Sequence, residues 1–244
     1  MALYVYGIVE APSRPPAEPG IADAPLRLVE GDGAAALVSE IDARQVRLGR
    51  EAVLRHARVL ERALEFGPVL PMRFGVVMSG PEEVQARLLD EYAEELRVQL
   101  ADFAGKVEIR IRAVYDEESL MQEVVRGNPE IAPLRDAVRA GSDDATYYER
   151  IRLGELVAAG VERRRERDAE MIVDALASAA LAVEVGELTH ERLVVQASFL
   201  VERDRLPKFD QLVDEIAGSY GGGILFKYTG PLPPHSFVEL AERV

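Results

Sequence analysis

The segment from Gly67 to Met78 constrains the fold most, because it is almost entirely apolar and carries two prolines. It reads Gly-Pro-Val-Leu-Pro-Met-Arg-Phe-Gly-Val-Val-Met, and Arg73 is its one charged residue. Pro68 and Pro71 disfavour helix in the residues before them, and Pro71 has no N–H to give to a sheet. The pattern predicts a buried strand with an irregular start, whose regular part is Phe74 to Met78.

Arg73 is the unusual residue of this segment. An arginine inside a buried run usually pairs with a carboxylate across a sheet or at a helix end. The alternative is that Arg73 contacts a partner protein. We expect internal pairing, and we keep Arg73 and Phe74 as candidate structural or interaction residues.

Amphipathic helices are predicted on both sides of the segment. The first runs from Arg50 to Phe66; the second starts at Pro81, after a capping box at Ser79, and stops before Gly105. His56 lies one position away from the apolar stripe of the first helix, which is typical of a half-buried boundary residue. The predicted inward faces are Val53, Ala57, Leu60 and Leu64 in the first helix, and Val84, Leu88, Tyr92, Leu96, Leu100 and Phe103 in the second.

The N-terminal part of the chain predicts strands. Residues 3–9 are rich in β-forming residues, and the proline-rich residues 11–25 that follow are predicted to form a stiff surface loop. Residues 26–30 and 35–41 then flank an Asp-Gly turn, which predicts a hairpin.

The second half of the chain alternates strands with helices. In residues 107–113, apolar residues alternate with Glu108, Arg110 and Arg112, which predicts a strand with one face in solvent. The elements predicted after it are a long helix over 143–183, a strand over 191–201, a short helix over 204–217 and a strand over 224–228.

This order resembles the βαββαβ pattern of a ferredoxin-like sandwich, and the first half resembles a looser version of it. We therefore predict an α+β fold with two ferredoxin-like domains. The first covers residues 1–104. The second covers residues 105–244 and adds a long helix, short helices and a C-terminal tail rich in proline and aromatic residues. The length of 244 residues is compatible with two small domains.

The long helix carries a cluster of arginines, but it does not predict a nucleic-acid site. Residues 149–170 contain six arginines and six acidic residues, so ion pairs along the helix surface explain the cluster. The formal net charge of the chain is −14, which repels phosphates over most of the surface. We therefore expect no nucleic-acid partner.

No arrangement of residues predicts catalysis, a metal, a cofactor or a small-molecule substrate. The chain has no cysteine, and His56, His190 and His235 lie in different predicted elements without a second ligand at metal spacing. Gly218–Gly223 lacks the Lys-Ser/Thr of a phosphate loop and is better explained as a helix end. No apolar run suits a membrane span and the N-terminus lacks a signal-peptide pattern, so we expect a cytoplasmic protein without a membrane partner.

The most unusual stretch lies near the C-terminus, where residues 226–238 read Phe-Lys-Tyr-Thr-Gly-Pro-Leu-Pro-Pro-His-Ser-Phe-Val. It resembles the closing motif of the gas vesicle protein F/L family, typically Thr-Gly-Pro-Trp-Pro-Pro-Tyr-Ser-Phe. Leu232 replaces the usual Trp, and His235 replaces the usual Tyr. Similar motifs occur in the same order along nearly the whole chain: Leu3-Tyr-Val-Tyr-Gly-Ile-Val, His56 followed by Val59-Leu-Glu, Val69-Leu-Pro-Met-Arg-Phe-Gly, Arg152-Leu-Gly-Glu and Ala197-Ser-Phe-Leu-Val.

The resemblance implies a non-enzymatic accessory or minor structural protein of gas vesicles, the gas-filled protein shells that give some prokaryotes buoyancy. The implied partners, during nucleation and assembly of the shell, are the small hydrophobic shell protein and other gas vesicle accessory proteins. The alternative from another class is a ferredoxin-like protein that senses or converts a small molecule.

The proline-rich tail must run over a surface, because its prolines prevent a helix or a continuous ladder. Either Phe237 and Leu232 pack into a groove of their own chain, or they wait for a partner, and we expect the first. The candidate residues of the tail are Pro231, Leu232, Pro233, Pro234, His235 and Phe237.

Overall fold

The structure is a computed structural model that describes residues 2–42, 49–142 and 145–239, and its fold is mixed α/β. The chain forms two compact units. Unit 1 comprises the described residues of Met1–Ile109, Leu200–Asp204 and Thr229–Val244, and unit 2 comprises those of Arg110–Phe199 and Arg205–Tyr228. The division into domains 1–104 and 105–244 stays a prediction, and these units differ from it by placing the C-terminal tail with the N-terminal residues.

The sheet of unit 1 is antiparallel and is built around its first strand, as the β-rich N-terminus predicts. β1 (Ala2–Glu10) pairs with β3 (Ala34–Ile41), which pairs with β2 (Leu26–Glu30). β1 also pairs with two short strands, β4 (Val69–Pro71) and β5 (Val77–Met78). The predicted hairpin of β2 and β3 is confirmed.

A bulge at Tyr6 decides what each face of β1 contacts. The Cα pairing with β3 skips Tyr6, which is therefore an extra residue on β1. An extra residue shifts the alternation of side chains by one. As a result Leu3, Val5 and Ile8 all join one hydrophobic core, while Tyr4 and Tyr6 lie on the other face.

Helix α1 (Arg50–Ala63) lies where it was predicted, but its buried face is different. Its buried residues are Ala52, His56, Val59, Leu60 and Ala63. The predicted stripe is confirmed at Leu60 and Leu64, which are buried, and is wrong at Val53, which is 45% exposed. His56 is 5% exposed rather than half-buried. The helix turns the polar ring of His56 inward because β1 offers it a hydrogen-bond partner.

The central segment is less regular than its sequence predicts. The regular strand expected over Phe74–Met78 is wrong, because a turn over residues 72–76 separates β4 from β5. Gly75 has a φ of 99° in this turn, a conformation that glycine adopts without strain. Pro71 is tolerated in β4 because β4 is at the edge of the sheet, where a missing N–H breaks no ladder.

The predicted second helix is interrupted. It consists of α2 (Pro81–Val84), a π-helical turn over Gln85–Asp90, and α3 (Ala93–Phe103). The π-helical turn changes the helical period locally, and both Leu88 and Leu89 are buried in the core there. Most of the predicted inward face is buried in the same core: Val84, Leu88, Leu96, Leu100 and Phe103, with Tyr92 partly buried against it.

The second sheet has four strands in the order β7, β8, β6, β9. In chain order its elements are β6 (Lys106–Tyr115), α4 (Glu117–Gly127), α5 (Ile131–Ala140), α6 (Tyr147–Ala177), β7 (Ala182–Val185), β8 (Leu193–Glu202), α7 (Leu206–Ser219) and β9 (Ile224–Leu232). In unit 2, Phe199 of β8 packs on Phe209 of α7, with their ring centroids 5.5 Å apart.

Several predicted boundaries and faces in this half are corrected. The long helix ends at Ala177, so Val183 belongs to a strand, and its predicted start at Asp143 lies outside the described residues. β9 continues to Leu232, so the prolines of the tail do not exclude a ladder at its start. Glu108 was predicted to face solvent and is instead fully buried. No helix in the described part of the chain is long and apolar enough to cross a membrane.

Candidate functional site

Tyr4, Tyr6 and His56 form a buried aromatic and polar cluster in unit 1. The tyrosines lie two residues apart on β1 and share one side of the sheet, which α1 covers with His56. The centroid of the His56 ring lies 5.7 Å from that of each tyrosine ring, and the His56 and Tyr6 rings are stacked.

A chain of hydrogen bonds runs through this cluster to the turn between β4 and β5. The Gly75 N–H donates to Tyr4 Oη at 3.0 Å, and Tyr4 Oη lies 2.9 Å from His56 Nδ1. His56 also forms a hydrogen bond with the backbone of Met72. The Tyr4 hydroxyl therefore donates to Nδ1 while the other ring nitrogen donates to the Met72 carbonyl, so His56 is a neutral ring with both nitrogens satisfied.

Burial sets the protonation of these side chains. The pKa of His56 is lowered to about 4, first by burial and then by the nearby charge of His235. The pKa of Tyr4 is raised to about 12 by burial, and the Gly75 N–H partly opposes this rise. Both groups are therefore neutral near pH 7.

The Tyr6 hydroxyl connects β1 to Ser39 of β3 and to the backbone at Ile21. The hydroxyl lies 2.8 Å from Ser39 Oγ and accepts a hydrogen bond from the Ile21 N–H at 2.7 Å. A Cβ at Gly20 would lie 2.4 Å from this hydroxyl, so only glycine fits there. Burial raises the pKa of Tyr6.

The hydrogen bonds of the Tyr4, Tyr6 and His56 cluster have a structural role. A general base needs a free lone pair, and His56 Nδ1 already accepts a hydrogen bond from Tyr4. Among residues 2–42, 49–142 and 145–239, no group of three or more His, Cys, Asp or Glu side chains could hold a metal ion. The cluster braces the turn over residues 72–76 against β1 and α1.

Two predicted site residues, Arg73 and Phe74, lie on this turn. Arg73 is exposed, so the burial that the apolar run predicts is wrong, and its pairing inside the chain stays a prediction. Phe74 packs against the cluster, with its ring centroid 5.8 Å from His56 and 6.1 Å from Tyr4, and remains 36% exposed.

The tail residues lie in unit 1, and most of them pack against it. Pro233 and Pro234 are buried, Val238 is buried in the hydrophobic core, and Phe237 packs against the same core. His235 is half-buried, close enough to His56 to lower its pKa. Pro231 is exposed and Leu232 half-buried at the end of β9. The structure thus brings two candidate segments that are far apart in sequence to the same histidine.

Glu108 binds this tail through two hydrogen bonds. Its carboxylate, on the unit 1 part of β6, accepts hydrogen bonds from the Ser236 N–H at 2.7 Å and from the Ser236 hydroxyl at 3.0 Å. Nearby, a Cβ at Gly230 would lie 2.6 Å from Ile109 Cδ1, so the backbone of the tail approaches β6 closely. The side chain that sequence alternation assigns to solvent is therefore an anchor for the chain end.

Unit 2 contains a separate buried polar cluster at Asp168 of α6. The Tyr115 hydroxyl donates to Asp168 Oδ2 at 2.7 Å, and Arg164 Nε lies 3.1 Å from the same oxygen. Arg164 also pairs with Glu123. The negative charge of Asp168 adds to burial in raising the pKa of Tyr115. These contacts tie β6 and α4 to the middle of the long helix.

Sequence reasoning missed Tyr4, Tyr6, Glu108 and Asp168 as members of these clusters. The one available signal was that two tyrosines lie two residues apart on a predicted strand. A buried tyrosine hydroxyl needs a hydrogen-bond partner, so this pair indicates polar groups nearby. Nothing in the sequence distinguished Asp168 from the other charges of the long helix.

Comparison with known proteins identifies the family. The model of the family described as "Gas vesicle synthesis protein GvpL/GvpF" matches residues 2–239. The chain belongs to this family. Gas vesicle protein F of Streptomyces sp. (strain CB03234) is 38% identical over 98% of this chain and 100% of the relative. Gas vesicle protein L1 of Halobacterium salinarum is 29% identical over 96% of this chain and 89% of the relative.

Solved structures of the GvpL/GvpF family share the fold. The crystal structure of GvpF from Anabaena sp. PCC7120 has a TM-score of 0.84 at 25% identity and covers 98% of each chain. That of GvpF from Microcystis aeruginosa has a TM-score of 0.79 at 27% identity, covering 98% of this chain and 99% of that one. The resemblance seen in the sequence is thus confirmed, and this GvpL/GvpF family member has a gas vesicle-associated structural role.

Proposed function

We propose that this protein is an accessory or minor structural protein of gas vesicles. It supports nucleation and assembly of the shell by binding the small hydrophobic shell protein and other gas vesicle proteins. The observation that carries this proposal is the family match, which runs over residues 2–239, together with relatives named gas vesicle protein F or L over nearly their whole length.

The chemistry of the chain supports a binding role without catalysis. The buried His56 is neutral, and both of its ring nitrogens are occupied by hydrogen bonds within the chain. The chain works without a cofactor, a small-molecule substrate, nucleic acid or a membrane, and it acts in the cytoplasm at the gas vesicle. A formal charge of −14 opposes self-association of such a protein while it binds an apolar partner.

We also propose a ferredoxin-like arrangement for the second sheet. The strand order in this sheet is β7, β8, β6, β9. When β6, β7, β8 and β9 are counted as strands 1 to 4 of a βαββαβ pattern, this order is 2-3-1-4, which is the strand order of a ferredoxin-like sandwich. The first domain is a looser relative, because its helix follows the β2–β3 hairpin instead of the first strand. The domain limits 1–104 and 105–244 belong to this proposal.

The tail acts as an intramolecular strap rather than as a free arm for a partner. Its buried prolines, its buried Val238 and the hydrogen bonds from Ser236 to Glu108 support this role. Docking a stiff proline segment costs little conformational entropy, because proline has little freedom to lose.

Co-expression with the shell protein tests the binding function. The tagged chain is expected to keep the shell protein in the supernatant and to retain it on an affinity matrix. The control is a tagged soluble protein of similar size and net charge, which separates specific binding from charge repulsion. If the shell protein sediments equally with both, the proposed function is wrong.

A further inference from the structure

The first half of helix α6 carries an apolar stripe at the surface of unit 2. Its residues follow one another at intervals of four, three, four and three, which is the heptad pattern of a coiled coil. None of the twelve charged residues in residues 149–170 falls on this stripe. We name the stripe the α6 seam, and its members are Tyr147, Ile151, Gly154, Ala158 and Val161.

The seam is open to solvent, although the same line of α6 is buried farther along the helix. Tyr147 is 56% exposed and Ile151 is 44% exposed, whereas Ile172, which continues the heptad pattern, is 0% exposed. An exposed helix face without charges is unusual for a surface in contact with water alone, and it indicates a binding surface.

Gly154 makes the centre of the seam suitable for close helix packing. It is exposed, and a Cβ placed on it would meet nothing within 4 Å. Glycine lowers the stability of a helix at such a position, so its presence there calls for another reason, such as the close approach of a second backbone. Ala158, one turn farther on, is also small and exposed.

The charges beside the seam favour a particular partner. In a coiled coil the residues that flank the apolar seam set the partner and its orientation. One flank of the α6 seam carries Glu155, and the other carries Arg150 and Arg164. A second copy that lies parallel and in register therefore places each Arg150 beside Glu155 of the other copy. Arg150 also has an interaction within its own chain, and its guanidinium, with five N–H groups, can keep it while binding a second carboxylate.

Other orientations and other surfaces are less favourable for two copies. An antiparallel copy would bring Glu155 beside its own equivalent and Arg150 beside Arg164, and these like charges repel. The chain has a formal charge of −14, but residues 149–170 contain equal numbers of arginines and acidic residues. Two copies therefore repel each other less across this segment than across the rest of their surfaces.

We propose that the α6 seam binds the α6 seam of a second copy of this chain, parallel and in register. Ile151 packs against Ile151 of the other copy, and Gly154 and Ala158 let the two helices approach closely. The seam spans only about two heptads, so the dimer is weak and depends on protein concentration.

A glutamate at Gly154 tests the close approach. In the monomer its side chain projects into open space, and glutamate forms helix better than glycine, so the fold is kept, which circular dichroism checks. Sedimentation over a range of concentrations is expected to show a dimer for wild type, and a dissociation constant raised at least about tenfold for Gly154→Glu. Ala159→Glu is the matched control, because it adds the same charge at an exposed position about a third of a turn from the seam.

Single cysteines test the orientation, since the chain has none of its own. In a parallel pair the two copies of position 151 face each other, and a disulfide spans about 5.5 to 6 Å between Cα atoms. Under mild oxidation, Ile151→Cys is expected to form a linked dimer several times faster than Ala159→Cys, as seen by non-reducing electrophoresis. An antiparallel pair would instead link Ile151→Cys to Val161→Cys when the two variants are mixed.

Three results would overturn the proposal. Wild type that stays monomeric at every concentration, with Ile151→Cys linking no faster than Ala159→Cys, would show that the seam binds no second copy. Equal weakening by Gly154→Glu and Ala159→Glu would place the dimer contact on another surface. Preferential linkage of Ile151→Cys to Val161→Cys would refute the parallel arrangement. No shell protein is present in these experiments, so their outcome is independent of the proposed function.

Discussion

Acidification should destabilise this protein through His56. The ring is 5% exposed and neutral, with a pKa lowered from 6.5 to about 4, so below pH 6.5 the unfolded chain binds a proton that the folded chain does not. A group with a lowered folded pKa stabilises the fold above its unfolded pKa, and this contribution is lost as pH falls toward the folded value. The window is therefore about pH 6.5 to about pH 4.

The size of this effect follows from the pKa difference. A difference of about 2.5 units, taken at about 1.4 kcal/mol per unit, bounds the loss at about 3 kcal/mol. About 2 kcal/mol of this is lost by pH 5 and nearly all of it by pH 4. The carboxylates also titrate in this range, so a variant without the imidazole is needed to isolate the contribution of His56.

Urea unfolding of wild type and His56→Gln from about pH 8 to about pH 4 measures the difference. The variant should be less stable than wild type at pH 8, because it loses packing and the bond to Tyr4, and the gap should close by about 3 kcal/mol as pH falls. An NMR titration of the His56 ring gives its pKa directly, and His235→Gln should raise that value by removing a nearby positive charge. If the stability curves of wild type and His56→Gln stay parallel, the burial argument is wrong.

Three further changes test the other clusters. Tyr115→Phe removes the hydroxyl that donates to buried Asp168, and urea unfolding should show a loss of about 2 kcal/mol; no loss would mean that Asp168 is satisfied without it. Ser236→Ala removes one hydrogen bond to the buried Glu108 carboxylate and should lower stability by about 1 to 2 kcal/mol in the same assay. Deleting the chain after Thr229 removes the strap and should lower the melting temperature, and an unchanged value together with lost vesicle formation would assign the tail to a partner.

The sequence predicted the elements better than the contacts between them. Strand β1, the β2–β3 hairpin and helix α1 follow from local patterns, namely β-branched and aromatic runs, an Asp-Gly turn and apolar residues at helical spacing. Each pattern extends over a few residues and specifies a local conformation. That is why these elements were found within a few residues of their predicted limits.

Burial at single positions could not be predicted in the same way. Glu108 follows strict strand alternation and should face water, yet the tail, more than a hundred residues later, covers it and supplies two donors. His56 lies off the predicted stripe, yet β1 offers it a hydroxyl. Arg73 lies in an apolar run, yet the run is broken by a turn at Gly75 that carries Arg73 to the surface.

The sequence by itself determined the family of this protein, since motifs spread from the first strand to the tail are similar to the gas vesicle protein F/L family in order. Only the tertiary structure decided that the turn over residues 72–76 and the tail lie near one buried histidine. The reason is physical. Local patterns specify secondary structure, whereas the environment of a charged or polar side chain is set by residues distant in sequence, which supply or withhold the hydrogen bonds that make its burial possible.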